Sequence, residues 1–205
     1  MSMLHASQPR TLFQRALTSS MLTAGAYAVT QGLRLVSNLI LTRLLFPEAF
    51  GIMALVSVAL VGLSMFSDMG IGPAISRHPR GDEPEFLDTA FSFDVVRGAV
   101  LWLLTCALAW PMAGIYAAPE LMQLLPAAGL TLFIAGFNPT RIDTANRHLL
   151  LGRVTFLDLV AQVIGILSMI ALAFVLKSVW ALVIGAIVGA LVKLIVMHLW
   201  LPGRP

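Results

Sequence analysis

One arginine, Arg34, stands in the middle of a stretch that is otherwise suited to crossing a membrane, YAVTQGLRLVSNLI. On a helix, Arg43 follows nine residues later and lies roughly 13 Å along the axis from Arg34. If Arg43 marks the outer membrane interface, Arg34 lies near the bilayer centre, beyond the roughly 6 to 7 Å that an arginine side chain can reach. A charge at that depth costs about 2.5 to 3.5 kcal/mol even on lenient insertion scales. Arg34 should therefore face the bundle interior or a water-filled cavity.

Other polar residues share the face of Arg34 on this predicted helix. At about 100° per residue, they fall within an arc of about 120°: Ser20, Thr23, Tyr27, Thr30, Gln31, Arg34, Ser37 and Asn38. The other side carries Gly25, Val29, Gly32, Val36 and Leu39. This side is predicted to pack closely against a neighbouring helix at its two glycines. Four members of the arc are candidate substrate-binding residues: Tyr27, Gln31, Arg34 and Asn38. The alternative for Arg34 is burial in structural hydrogen bonds.

A second group of ionisable residues is predicted closer to the inner membrane face: Asp68, Asp94, Arg97, Asp158 and Lys193. Asp68 comes late in an inward-running segment, whereas Asp94 and Asp158 come early in outward-running ones, so all three lie below Arg34. Asp94 and Arg97 are spaced i, i+3 and form the obvious local pair. We expect this group to support an inner gate or to bind a coupling ion.

The inner group can neutralise itself with its own basic residues. Because its three acids all lie below Arg34, Arg34 has no acid at its own depth. An unpaired arginine there suits an anion that comes from outside the chain. The planar guanidinium, with five donors, suits phosphate in particular.

The composition is that of an integral membrane protein. Of 205 residues, 59% are hydrophobic and 11% charged, against roughly 45 to 50% and about 25% in soluble domains. The mean hydropathy is +0.90. Apolar runs near the roughly 20 residues that a spanning helix needs predict an all-α fold.

The basic residues lie mostly at the ends of these runs, which favours a role in orienting the protein in the membrane over nucleic-acid binding. Cys106 has no partner cysteine, and no nucleotide, zinc or nucleophile motif is present, so we expect no catalytic site, metal or cofactor.

Six spans are predicted, at about 20–45, 51–72, 90–112, 121–137, 156–176 and 179–200. Residues 1–19 are expected to form a cytoplasmic tail and 201–205 a cytoplasmic end. With both termini inside, eight basic residues lie on the inner side: Arg10, Arg15, Arg77, Arg80, Arg141, Arg147, Arg153 and Arg204. Only Arg43 and Lys177 lie outside, and this asymmetry favours the stated orientation.

Two patterns in the last two spans concern packing. Asp158, Gln162 and Gly165 share one helix face, which suits either a cavity lining or a helix contact. The stretch GAIVG, from Gly185 to Gly189, predicts close helix packing.

Four stretches carry a resemblance to a known family: LILTRLLFPEAFGIMALV, FSDMGIGPAISR, YAAPELMQLL and NRHLLLGRVTFLDLVAQVIG. In their order and spacing they resemble the N-terminal half of the polysaccharide transporter family, the O-antigen type of lipid-linked oligosaccharide flippase. This family belongs to the multidrug, oligosaccharidyl-lipid and polysaccharide exporter superfamily. The resemblance extends from about Leu17 to Pro202.

The resemblance implies two six-helix lobes around a cationic cavity in the bacterial inner membrane. Alternating access would carry a polyprenyl-pyrophosphate-linked glycan from one leaflet to the other, and membrane lipid would surround the protein. In related peptidoglycan-precursor flippases, arginines of the first helix line the cavity, and Arg34 matches them by helix and depth. The chain corresponds to one lobe, so it is expected to be a fragment, a truncated reading frame, or a half that pairs with another copy or polypeptide.

Two other function classes compete with transport. A membrane enzyme of glycan assembly would need a site with paired acids, and the candidates are loop residues better explained as a solvated connector: Asp82, Glu83, Glu85 and Asp88. A non-transporting helical subunit would bind a partner through its glycine faces.

Overall fold

The computed structural model describes residues 12–67, 84–139 and 151–200. Within these ranges it contains six α-helices: α1 Leu12–Leu44, α2 Pro47–Ser67, α3 Pro84–Ile115, α4 Leu121–Gly136, α5 Leu151–Leu176 and α6 Trp180–Trp200. The six helices lie at the six positions predicted from the sequence. The all-α membrane fold class is confirmed.

Several helices extend beyond the predicted spans. Helix α1 begins at Leu12 rather than residue 20, and α3 begins at Pro84 rather than residue 90. Helical structure continues past the apolar run because hydropathy measures compatibility with lipid and not helix formation. Four described segments are long and apolar enough to cross a membrane: Pro47–Ser67, Leu87–Ile115, Val154–Leu176 and Trp180–Trp200. Helix α4 has 16 residues and α1 carries the polar arc, so membrane crossing by these two helices remains a prediction.

Core clusters show that the helices alternate in direction. One cluster joins the ends of α1 and α5 to the starts of α2 and α6: Leu41, Leu45, Ala49, Ala173, Ala181 and Leu182. A second joins the end of α3 to the start of α4, with α2 and α6 beside them. We call this side the Arg43 end. A third cluster, of Val154, Leu157 and Met197, lies at the opposite side, the Met197 end.

Close helix packing occurs where glycines meet. In the α5–α6 pair, a Cβ atom on Gly165 would lie 3.0 Å from Cα of Gly189, and one on Gly185 would lie 2.6 Å from Cβ of Met169. The predicted packing role of Gly185 and Gly189 is therefore confirmed. In the α3–α4 pair, Gly98 and Gly136 make the corresponding approach, 3.2 Å from the built Cβ of Gly98 to Cα of Gly136.

Helix α1 joins the bundle along one narrow stripe. Its less exposed residues recur every three or four positions: Ala26, Thr30, Leu33, Ser37, Leu41, Leu44 and Leu45. Ser37, expected on the polar arc, is only 4% exposed because the stripe overlaps the edge of that arc. The predicted glycine contact on the opposite side is wrong within the described part of the chain, where no atom lies within 4 Å of a Cβ built on Gly25 or Gly32. The side chains of Ser20 and Thr23 lie outside the described part of the chain.

Candidate functional site

A cleft of about 590 Å³ lies between α1, α5 and α6. Its polar lining comes from all three helices: Tyr27, Thr30, Arg34, Thr155, Asp158, Gln162 and Lys193. Small residues of α5 and α6 line the rest of it, chiefly Ala161, Gly165, Gly185, Ala186, Gly189 and Ala190. The same glycines that bring α5 and α6 together therefore leave an open groove beside α1.

One hydrogen bond fixes the register of α1 against α5. Nε2 of Gln162 donates to the backbone carbonyl of Thr30 at 3.2 Å, which places these two residues at the same level. Both helices run toward the Arg43 end. Arg34 comes four residues after Thr30 and Asp158 four residues before Gln162, so Arg34 and Asp158 are separated by roughly 12 Å along the axes. The depth order predicted from the sequence is present in the structure.

Arg34 is exposed to the cleft and forms no hydrogen bond or ion pair within residues 12–67, 84–139 and 151–200. It also borders a second groove, of about 490 Å³, on the surface of α1. Gln31, Asn38 and Thr42 line that groove with it. Three of the four candidate substrate-binding residues thus meet in this groove, and Tyr27 shares the larger cleft with Arg34.

An ion pair occupies the cleft below Arg34. Nζ of Lys193 on α6 lies 2.8 Å from Oδ1 of Asp158 on α5, and the two side chains are 39% and 43% exposed. Tyr27 precedes Thr30 by three residues and therefore lies near the level of this pair. The sequence placed Asp158 and Lys193 in one layer, but their direct pairing and their position in the Arg34 cleft are found only in the structure.

The other predicted inner residues form a separate contact. Nη1 of Arg97 lies 3.6 Å from Oδ1 of Asp94, as the i, i+3 spacing predicts. Nε of Arg97 also donates to Oγ of Ser67 at 3.1 Å, which links α3 to the end of α2. Ser67 was not identified from the sequence. Asp68 lies outside the described residues. The four remaining inner residues form two separate pairs, one within α3 and one between α5 and α6.

The face of Asp158, Gln162 and Gly165 serves both purposes that its pattern allowed. All three residues line the cleft, and Gly165 also packs against Gly189. This shared face was the sequence signal for the cleft. The contribution of Lys193 could not be read from it because that residue lies on another helix.

Comparisons with known proteins point to polysaccharide transport. The profile of the family described as polysaccharide biosynthesis protein matches residues 40–205. The succinoglycan biosynthesis transport protein ExoT of Rhizobium meliloti (strain 1021) is 26% identical over 167 residues, which cover 80% of this chain and 33% of that protein. The chain thus spans about a third of the length of this curated relative. No solved structure matches. The family match includes α5 and α6 but begins after Arg34.

Proposed function

Because the chain belongs to the polysaccharide biosynthesis protein family, we propose that it is one lobe of a lipid-linked oligosaccharide flippase. Its substrate is a glycan attached to a polyprenyl pyrophosphate, moved across the bacterial inner membrane for lipopolysaccharide or exopolysaccharide biosynthesis. The protein acts by alternating access and performs no covalent chemistry. The name of the relative from Rhizobium meliloti, a succinoglycan biosynthesis transport protein, supports transport of a polysaccharide or its precursor.

The observation that carries this proposal is the setting of Arg34. Its guanidinium is exposed in a cleft between three helices and has no acidic partner among the described residues. A cation left without a counter-ion in a membrane-embedded cleft favours an anionic ligand. Arginine binds phosphate oxygens in a bidentate manner, and such charge-assisted bonds are about twice as strong as neutral ones. Arg34 is therefore assigned to the pyrophosphate.

The exposed polar residues of α1 support a further lobe or a second copy opposite this one. Gln31, Arg34 and Asn38 are exposed, and polar side chains of this kind avoid direct contact with lipid hydrocarbon. A water-filled cavity enclosed by another lobe gives them a suitable environment, as in transporters built from repeated halves. The greater length of the relative agrees with such an arrangement.

The contact of Arg97 with Asp94 and Ser67 is proposed to hold the Met197 end closed as an inner gate. It ties α2 to α3 through the hydrogen bond from Arg97 to Ser67, and the ion pair with Asp94 on the same helix positions the arginine side chain. Both side chains of the ion pair are only about a quarter exposed, so the pair is less screened than a surface pair. In the proposed orientation this end and both termini are cytoplasmic, as the basic residue count favours.

Glycan export in a cell that lacks its own flippase tests the proposal. The chain is expressed with and without a matching second half, and export is normalised to the amount of protein in the membrane. Arg34→Ala is expected to abolish export, whereas Arg43→Ala, a matched change of an exposed arginine on the same helix, should leave it near normal. Export without the second half indicates a self-sufficient dimer. Near-normal export by Arg34→Ala, with the second half present, would return Arg34 to a structural role.

A further inference from the structure

We infer that the part of the cleft around Asp158 and Lys193 is a carbohydrate subsite that binds the sugar next to the pyrophosphate. The ligand then lies along the cleft with its phosphates at Arg34 and its glycan toward the Met197 end. This inference rests on the proposed function and adds to it the position and direction of the glycan.

The spacing of the charged groups is the first support. Arg34 and Asp158 are separated by roughly 12 Å along the helix axes, with Gln162 and Thr30 between them. The guanidinium of Arg34 and a diphosphate bound to it fill the part of that distance nearest Arg34. The group that reaches Asp158 is therefore the next part of the ligand, either the sugar or the polyprenyl chain.

The chemistry of the lining decides between these two groups. Tyr27 is 65% exposed, and Asp158, Gln162 and Lys193 offer a carboxylate, an amide and an ammonium group to the same space. A polyprenyl chain would remove these groups from water without replacing their hydrogen bonds, which costs free energy. Sugar hydroxyl groups donate to the carboxylate and accept from the ammonium, and the aromatic ring can cover the apolar face of a sugar.

The ion pair itself argues against a second phosphate site. Lys193 is already neutralised by Asp158 at 2.8 Å, so the level of the pair carries no net charge, in contrast to Arg34. Each partner still has capacity for further bonds, because a carboxylate has two acceptor oxygens and an ammonium has three donors. Both side chains are about 40% exposed, which leaves this capacity open to the cleft.

Small residues on α5 and α6 give the ligand room at this level. Ala161, Gly189 and Ala190 line the cleft beside the pair, so a pyranose ring can approach the helix backbones. Asp158 and Lys193 thus contact glycan, in place of the gate or coupling role expected from their depth alone.

The test compares two lipids of equal phosphate charge, one with and one without a sugar. The purified full chain in lipid nanodiscs is titrated with the methyl ester of undecaprenyl pyrophosphate, called the bare lipid, and with undecaprenyl pyrophosphate bearing one hexose. Either ester removes the same ionisable oxygen from the terminal phosphate, and the Kd of each lipid is measured by native mass spectrometry. The wild-type protein should bind the glycosylated lipid about tenfold more tightly, the effect of one or two net hydrogen bonds.

Two variants remove the subsite and leave Arg34 unchanged. Tyr27→Ala removes the ring, and Asp158→Asn combined with Lys193→Gln removes both charges together, so that neither is left unpaired. Both variants should weaken binding of the glycosylated lipid about tenfold more than binding of the bare lipid, so that the preference for the sugar is lost. Tyr116→Ala provides a matched control, because the other tyrosine of the chain is also exposed but lies outside the cleft.

The outcomes separate this inference from the proposed function. Equal binding of the two lipids by the wild-type protein would overturn the subsite, as would variants that retain the sugar preference. Equal weakening of both lipids by Tyr27→Ala would also overturn it. Failure of Arg34→Ala to weaken the bare lipid would instead overturn the pyrophosphate site, and with it the proposed function, whatever the sugar preference.

Discussion

The contact between α5 and α6 at Gly185 predicts that a single added methyl group destabilises the protein. A Cβ atom on Gly185 would lie 2.6 Å from Cβ and 2.8 Å from Cα of Met169, whereas non-bonded carbon atoms pack at about 3.5 to 4.0 Å. The two helices must therefore separate by roughly 1 Å. Overpacking of this kind costs about 1 to 3 kcal/mol, and the higher helix preference of alanine offsets up to about 1 kcal/mol. We expect Gly185→Ala to lower the free energy of unfolding by roughly 1 to 2 kcal/mol.

The matched control is Gly32→Ala, the same change at a helix position where no atom of residues 12–67, 84–139 and 151–200 lies within 4 Å of the new Cβ. This variant should be as stable as the wild-type protein or up to about 1 kcal/mol more stable. Gly189→Ala should fall between the two, because its new Cβ would lie 3.4 Å from Cα of Gly165. Thermal denaturation in detergent, followed by the folded peak on size exclusion, measures the series. Equal Tm values for the variants at Gly185 and Gly32 would refute the packing described for α5 and α6.

Three further predictions concern the gate, a turn and the orientation. Exchanging Asp94 and Arg97 for each other should retain more glycan export than neutralising either residue, because the exchange keeps the ion pair; equal loss in all three variants would exclude pairing as their role. Ala117 has a positive φ of 49° at the end of α3, so Ala117→Gly should raise the free energy of unfolding by about 1 kcal/mol in thermal denaturation, and an unchanged or lower Tm would contradict this turn. Reporters fused after Arg80 and after Ala118 should read cytoplasmic and periplasmic respectively; an outside signal at Arg80 would overturn the orientation.

Helix positions could be predicted because apolar runs and turn residues mark them directly. Helix α4, predicted over 121–137, extends over Leu121–Gly136, and α6, predicted over 179–200, extends over Trp180–Trp200. The start of α1 was missed because its first turns are too polar to count as a membrane span. A helix can continue outside hydrocarbon as long as its backbone hydrogen bonds are kept.

Helix faces were harder to predict because lipid and protein interior are both apolar. Gly185 and Gly189 contact a neighbouring helix, whereas Gly25 and Gly32, with similar surroundings in sequence, contact none of the helices that the structure describes. A small residue permits close approach, but it does not specify which helix lies opposite. The relative positions of the helices, which decide this, depend on the packing of the whole bundle.

The candidate site was predictable where one helix carries the signal. The exposure of Arg34 followed from its depth and from the polar arc of α1, and the pair of Asp94 and Arg97 followed from i, i+3 spacing. The pairing of Asp158 with Lys193 requires that α5 and α6 pack in one particular register. No local spacing encodes that register, so the composition of the cleft emerged only from the fold.

The role of Arg34 is tested most directly by its contribution to pyrophosphate binding in the purified chain. The Kd of undecaprenyl pyrophosphate and that of uncharged undecaprenol are measured in the same nanodiscs for the wild-type protein, Arg34→Lys, Arg34→Ala and the control Arg43→Ala. A charge-assisted contact is worth about 1.5 to 3 kcal/mol, so Arg34→Ala should weaken the pyrophosphate by roughly 10- to 150-fold and leave undecaprenol unchanged. Arg34→Lys should recover only part of the loss, because lysine lacks the bidentate fork. Pyrophosphate affinity that is the same in Arg34→Ala and in Arg43→Ala would contradict the assignment.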